Sequence, residues 1–145
     1  MKNVIVAIDL IDQKEKLILE KAIELTSCFN PKYWILHITA PDPDFVGYEA
    51  GPQSVRDNLA NELRKKHRSI QEYKDKLEEG GYIAESLLIQ GPTLEMILDK
   101  SNKLKADLLI IGHKDHSLLY KTFIGELSTQ LINKSKIPLI IIPLE

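Results

Sequence analysis

His113, Asp115 and His116 lie close together in the stretch GHKDHSLLYKTFIGEL at 112–127, and two hydroxyls, Ser128 and Thr129, follow it. Residues of these types can ligate a metal, hold a phosphate or supply a nucleophile. A catalytic or structural metal needs three or four convergent ligands. Two imidazoles on one loop, with no third ligand indicated elsewhere, read as polar loop residues, so no metal site is expected. Ser128 and Thr129 have no histidine or acid at a spacing that implies an activated nucleophile, and read as ordinary helix residues. His37 sits inside an apolar run and reads as a satisfied core histidine. Cys28 is the only cysteine. An internal disulfide and a thiolate cluster are therefore excluded, which suits a reducing compartment.

Any site built from these residues depends on the elements that carry them. Five short apolar runs stand out: VIVAI at 4–8, YWILHI at 33–38, SLLI at 86–89, LLIIG at 108–112 and PLIIIPL at 138–144. They are continuous rather than alternating, as strands are when helices cover both faces of a parallel sheet. Between them run segments of helical spacing. Ile18, Ala22, Leu25 and Phe29 mark the first, and Val55, Leu59, Leu63, Ile70, Tyr73 and Leu77 the second. Leu94, Ile97, Leu98 and Leu104 follow Pro92, which suits a first helical position. Phe123, Leu127 and Leu131 mark the fourth. Strand and helix thus alternate four times before a closing strand, which predicts right-handed crossovers and one doubly wound α/β domain over 1–145. The irregular connection at 39–54 holds three prolines and two glycines, which fits a functional flap or a disordered loop equally well.

Composition narrows the partners. Of 145 residues, 43% are apolar, enough for one sizeable core, and 19 Lys+Arg against 21 Asp+Glu leave no strongly basic surface for nucleic acid. No apolar run approaches the ~18–20 residues needed to span a bilayer, and the start, MKNVIVAIDL, lacks a signal-peptide layout. A cytoplasmic protein with neither nucleic-acid nor membrane partners is expected.

Open sheets of this kind bind ligands beyond the carboxyl ends of their strands, where the strand order reverses. Here those ends carry Asp9 and Asp12, Ile38 and Thr39, and 112–116. The first strand runs into Asp9-Leu10-Ile11-Asp12, with no glycine to admit a pyrophosphate, which rules out an ordinary dinucleotide site. No G-x-x-x-x-G-K-[ST] occurs, so a P-loop hydrolase is excluded. A phosphorylation-receiver domain would need an aspartate ending the third strand and a lysine ending the fifth. Gln90-Gly91 and Pro143 stand there instead.

The strings VIVAIDL, WILHI, QGPTLEMIL, ADLLIIGHK and KSKIPLIIIP, spread over the whole chain, together resemble the universal stress protein A family. The resemblance implies a Rossmann-like five-stranded parallel sheet of order 3-2-1-4-5 with helices on both faces. Nucleotide-binding members carry G-x2-G-x9-G-[ST] after the fourth strand, where backbone N–H groups meet the phosphates. The matching positions here are Gly112, Asp115, Gly125 and Glu126. By resemblance the nucleotide site comprises Asp9, Ile38, Ile111, Gly112, Asp115, Gly125, Glu126 and Leu127. Asp115 adds a Cβ and a carboxylate where phosphate must approach. Glu126, expected near the first turn of the fourth helix, can occupy the positive end of its dipole. The site therefore reads as degenerate, without a cofactor, close to the subgroup that lacks the glycine pattern. The alternative is a switch that binds ATP or AMP with Mg²⁺. The resemblance further implies a non-catalytic stress-response homodimer, paired through Pro138, Leu139, Ile140, Ile141 and Ile142 of the fifth strand.

Overall fold

A computed structural model describes residues 1–10, 14–39, 53–113 and 121–144, with side chains from 60 onward in the third stretch and from 127 onward in the last. The chain forms β1 (Asn3–Ala7), α1 (Glu15–Thr26), a 3-10 turn (Ser27–Phe29), β2 (Lys32–Thr39), α2 (Gln53–Glu79), β3 (Ile83–Gln90), α3 (Thr93–Lys103), β4 (Leu108–His113), α4 (Lys121–Lys134) and β5 (Leu139–Pro143). The strands pair in parallel in the order β3-β2-β1-β4-β5, as expected from the alternation and the resemblance.

Two apolar layers hold the helices to the sheet. Even-numbered residues of β1, Val4 and Val6, join Ile18, Leu19 and Ala22 of α1 and Ile70 and Leu77 of α2 on one face. Ile5, Leu36, Leu109 and Ile111 meet Ile97 of α3 and Leu131 of α4 on the other. The period-two alternation of side chains sends each central strand into both layers, which is why its sequence reads as an unbroken apolar run.

The local readings need three adjustments. Leu25 and Phe29 are 51% and 55% exposed, although the spacing predicts them on the buried face of α1. The stripe that is buried runs through Glu15, Ile18, Leu19, Ala22 and Thr26, and Phe29 falls in the 3-10 turn, where the helical phase is lost. Pro92 is the residue before α3 rather than its first, and its carbonyl accepts from the Met96 N–H at 3.0 Å. β3 is longer than the apolar run that marks it, because register with all of β2 from Lys32 to Thr39 extends it to residues 83–90. Of the irregular connection, Thr39 ends β2 and 53–54 open α2, while 40–52 lie outside the described residues.

Candidate functional site

Register fixes which strand ends share the crevice. Ala7 pairs with Leu36 of β2 on one side and Ile111 of β4 on the other, so Asp9, Ile38 and His113 reach the same carboxyl-end rim. The helices after β1 and β2 pack on one face and those after β3 and β4 on the other, so the reversal falls between β1 and β4. Asp9 is exposed just past β1, Ile38 is half-buried against the α3–α4 layer, and Ile111 is buried at 4% exposure.

Gly112 is the first glycine of the expected phosphate pattern, and its surroundings give it another reason to be glycine. A Cβ there would lie 2.6 Å from Ile18 Cδ1 and 2.9 Å from Leu144 Cδ1, far inside van der Waals contact. The missing side chain lets α1 seat Ile18 against β4. Asp115 lies outside the described residues.

Gly125 and Glu126 are the fifth and sixth residues of α4, which starts at Lys121. Glu126 is thus one turn deeper than expected. A single glycine costs a helix about 1 kcal/mol relative to alanine and does not stop it. Only the first four N–H groups of a helix lack an intrahelical acceptor, so those of Gly125 and Glu126 fall within the ladder. Leu127 belongs to the apolar layer beneath α4.

The structure brings Ser128 and His113 together, a proximity the sequence reading missed. Ser128 Oγ lies 3.4 Å from His113 Nδ1, and Ser128 is buried. A separation of fifteen residues hides the pair in sequence, and only the return of α4 over the end of β4 creates it. The 3.4 Å distance is at the outer limit for a hydrogen bond, looser than the close contact an activated hydroxyl makes with its base. Among the described residues no cluster of three His, Cys, Asp or Glu could hold a metal.

A second polar group lies beneath the β1–β2 side. His37 Nδ1 is 2.9 Å from the Ile8 carbonyl, which can only accept, so Nδ1 carries the proton of the neutral ring. Nε2 is buried without a hydrogen-bond partner among the described residues, where the expected satisfied histidine is thus satisfied on one side only. Burial holds the His37 pKa below its ordinary 6.5; the Ile8 carbonyl and the Asp9 and Glu15 carboxylates oppose this, and Lys66 adds to it. Glu15, the first residue of α1, is buried at 4% exposure. Its Oε1 accepts from the Tyr73 hydroxyl at 2.9 Å, and its Oε2 has no partner among the described residues. Burial and the bond to Glu15 push the Tyr73 pKa up to about 12. Glu15 occupies the leading position of the stripe 15-18-19-22-26, so helical spacing could have flagged it as an inward-facing acid.

Sheet order, two-sided helical cover and a crevice at the β1–β4 reversal define a doubly wound, Rossmann-like α/β fold. Its family follows from comparison: residues 1–143 match the model of the Universal stress protein family, and the chain belongs to that family. It is similar to the stress response protein NhaX of Bacillus subtilis, with 29% identity over 97% of this chain and 96% of that one. It is also similar to Universal stress protein A of Escherichia coli K12, with 25% identity over 99% and 94% of the two chains. An Arabidopsis thaliana universal stress protein family protein solved with AMP bound shares the fold. Its TM-score is 0.68 at 18% identity, over 99% of this chain and 92% of that one.

Proposed function

We propose that this universal stress protein is a non-catalytic cytoplasmic stress-response protein, a single domain over 1–145 that acts as a homodimer through partner contacts and has lost ATP binding. The observation that carries the reading is the state of the phosphate pattern. Asp115 and Glu126 stand at two of its four positions, and Gly125 and Glu126 lie within α4 rather than at its open end. A carboxylate at either position repels a ligand bearing several negative charges, and N–H groups inside a helical ladder are poorer donors to phosphate than those of an open helix end. The close approach of Ile18 accounts for Gly112 without a ligand.

Dimerisation is supported by β5. It is an edge strand, and Leu139, Ile140 and Ile141 are only half-buried. An apolar edge with unpaired backbone groups associates unless it is covered, and a two-fold pairing covers it and stops growth at that edge. Sedimentation should give a dimer for the wild type and a shift toward monomer for Ile141→Lys. A monomeric wild type at micromolar concentration would contradict the pairing.

The second reading, a switch that binds AMP or ATP with Mg²⁺, is favoured by AMP in the Arabidopsis relative and by Asp9 and Ile38 on the crevice rim. Thermal unfolding with excess Mg-ATP or AMP separates the two, since a ligand at a hundred times its dissociation constant stabilises by ~2.7 kcal/mol. The proposed function expects no shift with either nucleotide.

A further inference from the structure

The edge of the sheet opposite β5 carries an open groove of about 580 Å³ between α2 and Leu88 of β3. Its helical wall presents Arg64, His67, Arg68, Gln71, Glu72 and Asp75, all exposed. These positions recur three and four apart and form one stripe along α2. The basic groups occupy its first half and the acids its second.

This order does little for the helix itself. Arg64 and Arg68 are like charges four apart, and Arg68 precedes Glu72, the weaker orientation for an ion pair at that spacing. The described ion pairs on α2 include Lys74–Glu78 but none from Arg64, Arg68, Glu72 or Asp75, and Arg64 instead donates to Asn61 Oδ1 at 3.0 Å. The same order is self-complementary about a two-fold axis between residues 69 and 70. Laid antiparallel against a copy of itself, the stripe sets Arg64 against Asp75, His67 against Glu72 and Arg68 against Gln71, and each match occurs twice. A one-signed partner would match only half of the groove.

We infer that the α2–β3 edge is a second self-association surface, on which another copy of this chain docks with its α2 antiparallel. The pairing relies on exposed charges, so it is salt-sensitive and weaker than an apolar interface. It is separate from β5 and would join β5-linked units at their opposite edges.

The test uses two charge-uniform variants of the full chain. Arg64→Glu with Arg68→Glu makes the stripe acidic, and Glu72→Lys with Asp75→Lys makes it basic. Any β5 contact is common to all samples and cancels in the comparison. In low-salt sedimentation the wild type should be at least twice as heavy as either variant alone, since pairing at both edges extends the assembly, and an equimolar mixture of the two should regain that mass. Raising the salt toward ~1 M, where the Debye length falls to ~3 Å, should weaken the wild-type association by roughly tenfold or more. A mixture that stays at the mass of its separate components would overturn the proposal. So would a wild type no heavier than the variants, which would leave the groove to some other occupant.

Discussion

The two sides of the crevice differ in what fills them. On the β4 side the described neighbours are hydrocarbon: Ile18 and Leu144 close over Gly112, and Leu127 sits in the apolar layer. On the β1–β2 side a buried carboxyl, a phenol and an imidazole lie beneath the rim, with two of their polar atoms unpartnered among the described residues. The first side is packed around a missing side chain. The second retains polar groups whose cost the rest of the fold carries. A glycine and a strand-end acid that look like two parts of one site in sequence therefore belong to different local economies of packing and hydrogen bonding.

The largest effect is expected where the β4 side is tightest. Gly112→Val would drive a branched side chain against Ile18 and Leu144, which must shift together. The expected loss is about 3 kcal/mol, near the top of the usual range for overpacking, read as a fall in the denaturation midpoint. A silent substitution would show that Ile18 yields freely and that the glycine is held there for another reason.

On the polar side, Tyr73→Phe removes the donor to Glu15 and should cost about 1–2 kcal/mol, because a buried carboxylate oxygen loses its partner. Adding Glu15→Met should recover most of that loss, since replacing both members of a buried polar pair by apolar groups is often neutral or better. Failure to recover would mean that Glu15 has a further partner on which the helix start depends.

A smaller effect is expected in the pH profile. His37 holds its proton less tightly in the folded chain than in the unfolded one. Its neutral form is therefore the stabilising one, fully present above pH ~6.5 and progressively lost as the pH falls toward the depressed folded value. The slope from this single group cannot exceed about 1.4 kcal/mol per pH unit, and His37→Gln should flatten it. Urea unfolding at a series of pH values reads both. An unchanged slope in the variant would place the proton uptake elsewhere.

Much of the fold was legible because its central strands are buried on both sides, leaving runs such as VIVAI and LLIIG with little polar interruption. The strand order came from resemblance, and register then brought Asp9, Ile38 and His113 to one rim. What sequence spacing could not supply were the exceptions to hydrophobic patterning. Glu15 is an acid at a core position, and Leu25 and Phe29 are apolar residues left in solvent. Each is decided by where α1 ends and what packs over it, which a periodic template does not encode. The Ser128–His113 proximity was hidden for a related reason, since it arises only when α4 folds back over β4. The role of Gly112 was half legible. Its type was noticed, but a glycine kept for a neighbouring isoleucine and one kept for a phosphate are the same letter.

The central claim is that the phosphate cradle has been lost through charge. Calorimetric titration of Mg-ATP into the wild type and into the double variant Asp115→Gly, Glu126→Ser tests it most directly. The account predicts no heat of binding for the wild type and measurable binding for the variant, which regains the full glycine pattern. Micromolar binding by the wild type, or a folded double variant that binds no better, would contradict it.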